Sequence, residues 1–199
     1  MSPVVVMFNG PPRAGKDTAA NVFKAIFGGD MMHFKFTTVV KDKTHERFDV
    51  AKYYGLQSVP TDFFENEKDD VIDALGGKTP RAAYIETSRL LKEQHNDNII
   101  ADLTLESTFG SRQPVLVNSD LGFNCEGRVF QDYYGAANCL IVKVSRPGFE
   151  FNDNRAYVDL PDVETVHVNN IDPDQYKKDL IKISERHLQP KIQCAPSFR

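Results

Sequence analysis

A glycine-rich loop near the N-terminus constrains the fold of this chain more than any other feature. The segment Gly10-Pro-Pro-Arg-Ala-Gly-Lys16 has the G-x-x-x-x-G-K spacing, in which the backbone curls so that successive N–H groups point inward at phosphate oxygens. The loop lies between an apolar, β-branched run at residues 3–8 and a segment with helical spacing of apolar residues at 16–27. Strand, loop and helix in this order are the context that a phosphate-binding loop (P-loop) requires.

Composition and charge exclude several classes of protein. The chain has 199 residues, 41% of them hydrophobic and 26% charged, and a net charge of −4. A dedicated duplex-binding domain is excluded because it would need a basic excess, and no stretch reaches the ~20 apolar residues of a membrane span. Three widely spaced cysteines, Cys125, Cys139 and Cys194, are typical of reduced thiols. We therefore expect a soluble, cytoplasmic protein that binds no duplex nucleic acid and no membrane.

Strands alternate with helices along the chain. This order predicts an α/β fold with an open, mainly parallel sheet of about five strands flanked by helices, as in P-loop NTPases. Strands are predicted at residues 3–8, 31–36, 114–118, 139–145 and 164–169, and helices at 16–27, 39–54, 79–95, 98–105, 125–134 and after 172–173. One domain, 1–199, would contain a helical insertion at about 37–112 and a short irregular lid at about 146–162. Residues 195–199 are expected to fray.

The charged residues of the loop indicate how it would hold a nucleotide. Lys16 is expected to bridge the β- and γ-phosphates, and Arg13 to supply a further charge-assisted contact. Asp17 stands where this motif normally carries the Ser or Thr that ligates Mg²⁺. Two interpretations of Asp17 stay open: its carboxylate ligates Mg²⁺ directly or through water, or it only favours the helix N-terminus.

A second carboxylate follows the apolar run at residues 115–118. Asp120 then occupies the Walker-B position of a P-loop domain, at the carboxyl edge of the sheet, where such folds bind ligands. There it could orient Mg²⁺ or its waters. A helix cap before Gly122 is the alternative, and the preceding P-loop favours the metal role.

Basic residues distinguish classes of acceptor. A kinase whose acceptor is a phosphate must overcome repulsion between two phosphate groups, and cations on the acceptor side meet that need. Arg81 and Arg89 lie on one predicted helix, and Lys41 follows a predicted strand, so all three are candidates for binding the acceptor. Arg146 and Arg155 flank or lie in the irregular segment, from which an arginine could reach the transferring phosphoryl group.

The P-loop and several later segments of the chain resemble one enzyme family. The segment Gly10-Pro-Pro-Arg-Ala-Gly-Lys-Asp-Thr18, with Asp after the lysine, resembles bacteriophage deoxynucleoside monophosphate kinases and their adenylate-kinase-like relatives. Weaker similarities follow in the same order: Phe34-Lys-Phe36 with Lys41-Asp42, Lys78-Thr-Pro-Arg81, Asn118-Ser-Asp120-Leu-Gly-Phe123, Arg146-Pro147 and Val168-Asn-Asn170. The resemblance spans residues 4–185.

This resemblance implies roles for particular residues. The donor phosphates would be held by the loop and the helix start, namely Gly10, Arg13, Ala14, Gly15, Lys16, Asp17 and Thr18. Arg81 and its helix would belong to the acceptor-monophosphate side, and Asn169 or Asn170 would lie near the donor adenine. The lid has fewer arginines than adenylate-kinase lids, so either Arg146 or Arg155 could act at the transition state.

The functional hypothesis from the sequence is a Mg²⁺·ATP-dependent kinase of nucleoside monophosphates, in particular one that converts a dNMP to a dNDP. Its partners would be small-molecule nucleotides, and a homodimer is compatible with the sequence. A phage-encoded enzyme would act in the host cytoplasm. The alternatives are the same fold acting on dephospho-coenzyme A or phosphomevalonate, and a nucleotide-binding module that transfers no phosphate.

Overall fold

A five-stranded, all-parallel sheet forms the centre of the fold. The computed structural model describes residues 2–193, so the predicted fraying of 195–199 and the thiol of Cys194 lie outside the described residues. The strands are β1 (Val4–Asn9), β2 (Met31–Phe34), β3 (Val115–Leu121), β4 (Cys139–Ser145) and β5 (Glu164–Asn169). They lie in the order β2-β3-β1-β4-β5 with every neighbouring pair parallel. The predicted α/β fold is confirmed.

Helices cover both faces of this sheet. The helices α1 (Lys16–Phe27) and α7 (Pro173–Ile183) pack with one face of β1 in a core that includes Phe8, Phe23 and Tyr176. The opposite face carries Val5 and its neighbour on β4, Cys139, whose thiol donates to the Phe130 carbonyl of α6 (Asn124–Tyr134). Parallel strands buried on both faces explain the continuous apolar runs in the sequence.

Local sequence sets several helix boundaries as predicted. Gly28 ends α1 with a φ of 55°, a conformation that glycine adopts without a Cβ penalty. Asp172 caps α7, its carboxylate accepting from the Gln175 N–H at 2.7 Å. Thr79 caps α4 (Pro80–Gln94) by accepting from the Ala82 N–H at 3.2 Å. Both capped helices have proline in the first helical position, where no N–H is needed.

The described residues divide into two compact units, one formed by residues 2–35 and 105–193 and the other by 36–104. The second unit contains α2 (Phe36–Arg47), α3 (Val50–Tyr54), α4 and most of α5 (Ile99–Ser107). Its core is apolar, formed by Val50, Phe64, Leu75 and Ala83. This unit overlaps the stretch at about 37–112 that the sequence predicts as a helical insertion, and its role as the acceptor-binding part stays a prediction.

Several predicted boundaries were wrong. The second strand ends at Phe34, because α2 begins at Phe36, and the helical region 39–54 is two helices separated at Asp49, whose φ is 51°. The third strand continues to Leu121, so Asp120 lies inside it. A π-helical segment, Ser184–Leu188, and a short α8, Gln189–Gln193, extend the C-terminal helix.

Candidate nucleotide-binding site

Two glycines of the loop at residues 10–15 occupy positions that no other residue fits. A Cβ on Gly10 would lie 2.2 Å from the Val144 carbonyl oxygen. Gly15 has a φ of 113°, and a Cβ there would lie 2.4 Å from Asn170 Nδ2. Glycine permits both the left-handed backbone and the close approach. The loop is therefore packed tightly against β4 and the residue after β5.

Lys16 turns back over the loop. Its Nζ donates to the carbonyl oxygens of Gly10 and Pro11, each at 2.8 Å. Partial burial lowers the pKa of Lys16, the charge of Arg155 adds to that shift, and the carboxylates of Asp17 and Asp120 oppose it. The ammonium group thus lies within electrostatic reach of both predicted metal-binding carboxylates.

Three successive carbonyl oxygens of the loop accept from side chains that come much later in the chain. Arg146 Nη1 donates to the Arg13 oxygen at 3.2 Å. Asn170 Nδ2 donates to the Ala14 oxygen at 2.8 Å, and the Tyr176 hydroxyl donates to the Gly15 oxygen at 3.1 Å. The end of β4, the end of β5 and α7 therefore all hold the backbone of the loop. The structure brings Asn170 to the loop; its expected place near the adenine stays a prediction.

Asp17 is exposed at the start of α1, next to Thr18, which is also exposed. Its Oδ1 accepts from Ser119 Oγ at 2.8 Å and pairs with Lys35 Nζ at 2.7 Å. Partial desolvation raises the pKa of Asp17, but the bonds from Lys35 and Ser119 outweigh that effect and lower it overall. The carboxylate is therefore ionised and held in one orientation at neutral pH.

Asp120 is linked to the neighbouring Asn118. Its Oδ1 accepts from Asn118 Nδ2 at 2.9 Å, and its backbone N–H donates to Asn118 Oδ1 at 3.0 Å. The alternative role as a helix cap is wrong, because α6 begins four residues later, with Phe123 as its N-cap, and Glu126 satisfies the N–H groups of Gly122 and Phe123, at 2.8 and 3.0 Å. A metal role for Asp120 stays a prediction.

The donor set suits Mg²⁺ held mainly by a nucleotide. Along residues 2–193, no group of three or more His, Cys, Asp or Glu side chains is arranged to hold a metal ion. Mg²⁺ does not need such a cage, since it usually binds one or two carboxylates together with substrate phosphates and water. Asp17 and Asp120 supply hard oxygen donors of that kind on the two elements next to Lys16.

The two arginines of the predicted lid are held differently. Arg155 forms a bidentate pair with Asp153, through Nε at 3.0 Å and Nη2 at 2.7 Å, and its side chain passes close to Gly122. Arg146 is exposed and stacks over the Phe149 ring at 4.7 Å. The bond to Asp153 raises the pKa of Arg155, and the charge of Asp120 adds to that effect. Burial and the charge of Arg155 both lower the pKa of Lys16.

The later part of the predicted lid is anchored to the sheet. Asn9, fully buried at the end of β1, accepts from the Val158 N–H at 2.8 Å and donates to the Leu121 oxygen at 2.9 Å. Val158 and Leu160 are themselves buried. Asp159, Pro161 and Asp162 alternate with these buried residues and are exposed.

The candidate acceptor-binding cations belong to the second unit and have separate carboxylate partners. Lys41 pairs with Asp62 at 2.6 Å and Glu65 at 2.8 Å. Arg81 pairs with Asp69 at 2.9 Å. Along the same helix, Arg89 pairs with Glu93 at 2.6 Å.

Sequence analysis missed several residues that shape the site. Ser119 could have been found, because it precedes Asp120 at the carboxyl end of a strand. Tyr176 packs in the core, and no local pattern indicates that its hydroxyl reaches the loop. Lys35 and Asn9 had no signal beyond their position next to strand ends.

The fold and the loop together define a P-loop α/β domain. No protein-family model matches the chain, and no curated protein matches it. Among solved structures, it is similar to TT1252 from Thermus thermophilus, with a TM-score of 0.54 and 12% identity over 95% of this chain and 100% of that one. At this identity the similarity shows a shared fold alone.

Two further solved structures resemble the chain at lower scores. One is a sugar kinase from Janibacter sp. HTCC2649, with a TM-score of 0.44, 10% identity and coverage of 96% of this chain and 98% of that one. The other is thymidylate kinase from Candida albicans, with a TM-score of 0.38, 12% identity and 92% coverage of each chain. Neither similarity carries a functional argument. Within residues 2–193, no helix has the length and apolar character to cross a membrane.

Proposed function

We propose that this protein is a Mg²⁺·ATP-dependent phosphotransferase that acts on a nucleoside monophosphate, in particular a deoxynucleoside monophosphate. The observation that carries the proposal is the position of Lys16. Its ammonium group lies on the carbonyl oxygens of its own loop, within electrostatic reach of Asp17 and Asp120. A cation, N–H donors at a helix start and two carboxylates suit a metal-bound triphosphate.

The chain's own residues then act by binding and orienting the donor. Lys16 neutralises charge on the β- and γ-phosphates, and the N–H groups at the start of α1 add hydrogen bonds and the positive end of the helix dipole. Arg155 supplies a further positive charge on the same side. Transfer is direct and in line, without a covalent enzyme intermediate, because positioning and charge stabilisation supply most of the catalysis in phosphoryl transfer.

Asp17 and Asp120 would hold the metal, directly or through water. When bound, Mg²⁺ neutralises charge on the phosphate oxygens. Ser119 and Lys35 hold the Asp17 carboxylate, and Asn118 holds that of Asp120. Both side chains are thus oriented before a nucleotide arrives.

The proposal of a nucleoside monophosphate as acceptor is supported by the sequence resemblance and by cations of the second unit. Lys41, Arg81 and Arg89 are proposed to bind the acceptor phosphate. Each is paired with a carboxylate in this structure, so an acceptor phosphate would compete with those partners. Arg81 is the first choice because its pair with Asp69 is exposed and therefore weak.

The test is an ADP-release assay with Mg²⁺·ATP against a panel of acceptors: all common NMPs and dNMPs, dephospho-coenzyme A and phosphomevalonate. Turnover with one or a few dNMPs is the expected result. Turnover only with a non-nucleotide acceptor would support the proposed mechanism and contradict the proposed substrate. ATP binding without turnover on any acceptor would support a nucleotide-binding module instead.

A matched pair of lysine variants controls this assay. Lys16→Ala should reduce turnover at least about 100-fold, the order observed when a transition-state contact is removed. Lys24→Ala removes a lysine from the same helix, whose Nζ donates to the Met31 oxygen at 3.4 Å, and should retain activity. Equal activity in both variants would contradict the proposed mechanism.

A further inference from the structure

We infer that Asn170 and Tyr176 are positioning residues that set the direction of two phosphate-binding N–H groups in the loop. The inference rests on the donor site of the proposed function. It concerns side chains 156 and 161 residues away from the backbone atoms that they hold.

The argument starts from the peptide plane. In a trans peptide unit the C=O and the following N–H point in opposite directions. Asn170 Nδ2 holds the Ala14 oxygen at 2.8 Å, so the Gly15 N–H points away from Asn170. The Tyr176 hydroxyl holds the Gly15 oxygen at 3.1 Å, so the Lys16 N–H points away from Tyr176. Both donors are thereby turned toward the open side of the loop.

The loop needs such restraint because its backbone can adopt more than one conformation. Arg13 and Gly15 have φ values of 65° and 113°, and glycine populates both signs of φ. Rotation of one peptide unit would replace an inward N–H by an inward carbonyl oxygen, which repels phosphate. The bonds from Asn170 and Tyr176 must break before that rotation occurs, and at the Gly15 oxygen Tyr176 adds to the bond of 2.9 Å from the Ala19 N–H of α1.

The two side chains that restrain the loop are themselves fixed. Tyr176 is 1% exposed and packs in the core with Leu180 and Ile183 of the same helix. Asn170 follows β5, where its backbone N–H donates to the Ser145 oxygen at 2.8 Å. Gly15 lacks the Cβ that would collide with the Asn170 amide. Anchored donors of this kind lower the entropy cost of ordering the site when a nucleotide binds.

The test measures nucleotide binding, not turnover. Tyr176→Phe and Asn170→Ala should each weaken ATP and ADP about 3- to 10-fold, the loss expected for one hydrogen bond. Adenosine, which has no phosphate, should bind these variants as it binds the wild type. Asn170→Asp should weaken ATP at least as much as Asn170→Ala, because a carboxylate cannot donate to the Ala14 oxygen.

Matched controls come from bonds of the same type elsewhere in the same unit. Tyr134→Phe removes a buried hydroxyl that bonds Thr108 Oγ1 at 2.8 Å. Asn138→Ala removes an amide that donates to the Tyr134 oxygen at 2.8 Å. Both controls should leave ATP binding unchanged, even where they lower the melting temperature as much as the test variants do.

The outcomes are distinguishable. A wild-type protein that binds no ATP would overturn the proposed donor site, and this inference with it. A wild type that binds ATP, with Tyr176→Phe and Asn170→Ala matching their controls, would overturn the inference alone. Equal weakening of adenosine and ATP by Asn170→Ala would show that Asn170 acts on the nucleoside, and would overturn its role in the loop.

Discussion

The hydroxyl of Ser119, near the end of β3, donates a hydrogen bond of 2.8 Å to Oδ1 of Asp17, in the first turn of α1. His33 Nε2 lies 2.9 Å from the same hydroxyl oxygen, and Lys35 Nζ lies 2.7 Å from the same carboxylate oxygen. A hydroxyl has one proton to donate, and Ser119 donates it to the hydrogen bond with Asp17. His33 therefore donates an N–H from Nε2 to the Ser119 oxygen. The four side chains form one connected group, in which the predicted metal-binding carboxylate of Asp17 lies between Ser119 and Lys35.

Replacement of Ser119 by alanine should therefore weaken metal binding. Without the hydroxyl, Asp17 keeps Lys35 but loses one of its two restraints and one interaction that lowers its pKa. We expect the Mg²⁺ concentration for half-maximal activity to rise about 3- to 10-fold, the effect of losing one hydrogen bond that orients the carboxylate without contacting the metal. Mn²⁺ binding to the ADP complex, followed by electron paramagnetic resonance, should weaken by a similar factor.

Ser111→Ala is the control for this prediction, because Ser111 Oγ bonds only the nearby Gln113 side chain and backbone. That variant should leave both metal measurements unchanged. The proposed link between Ser119 and Asp17 would be refuted by identical metal dependence in the two variants.

Gly10→Ala should destabilise the protein. A Cβ at this position would lie 2.2 Å from the Val144 carbonyl oxygen, a backbone atom of a central strand that cannot rotate away. We expect a loss of about 1–3 kcal/mol in the free energy of unfolding, as for overpacking in a core. Thermal and denaturant unfolding would measure it.

Gly29→Ala is the matched substitution, since a Cβ on Gly29 meets nothing within 4 Å. It should be neutral or stabilise the protein by up to about 1 kcal/mol, because alanine restricts the unfolded chain. Equal loss of stability in both variants would contradict the packing argument for Gly10.

Local patterns were sufficient to predict most of the fold. Apolar periodicity and the capping residues Thr79 and Asp172 predicted the order and type of the strands and helices, although not every boundary, since those signals act over a few residues. The loop at residues 10–16 was also visible, because glycine spacing between a strand and a helix is a local feature. Asp120 was found by the same logic, as a carboxylate next to an apolar run.

The residues that hold the loop were not predictable in this way. Tyr176 and Asn170 reach the loop only because β5 lies next to β4 and α7 packs on α1. The spacing of these two residues along the chain does not predict that arrangement. Ser119 likewise becomes a partner of Asp17 only after β1 is placed between β3 and β4. These contacts depend on topology, which single-sequence patterns specify weakly.

Glu164 should make stability depend on pH. Burial raises the pKa of Glu164, but hydrogen bonds from Lys191 and His187 outweigh that effect, so the net pKa lies below the ordinary value of 4.5. A lowered pKa in the folded state means that the carboxylate stabilises the fold above the unfolded pKa. This contribution is lost as the pH falls through the folded pKa.

Glu164→Gln tests this pH dependence. At pH 7 the variant should lose about 1 kcal/mol or less, because the pair is partly exposed, which corresponds to a melting temperature about 2–4 °C lower. The difference from the wild type should shrink below about pH 4, where the wild-type carboxyl also becomes neutral. A difference that stays constant across this range would contradict the assignment.

Arg155 is held by Asp153 in this structure, through two nitrogen donors at 2.7–3.0 Å. Its charge adds to the effect of burial in lowering the pKa of Lys16, and its side chain lies against Gly122, two residues after Asp120. If Arg155 contacts the transferring phosphoryl group, Arg155→Ala should lower kcat about 100- to 1000-fold, the usual loss for a donor of that kind. Arg128→Ala, an exposed arginine of α6, is the control and should retain kcat.

Asp153→Asn separates that role from a surface ion pair. The amide keeps the shape of the side chain but removes the charge that competes with phosphate for Arg155. We therefore expect Asp153→Asn to retain kcat and to bind ATP about 2- to 5-fold more tightly, since a weaker competing partner leaves Arg155 available. A simple surface pair predicts that Asp153→Asn and Arg155→Ala lose the same small amount of stability, with kcat unchanged in both. Steady-state kinetics and ATP titration of the two variants therefore decide whether Asp153 holds Arg155 in place until a nucleotide binds.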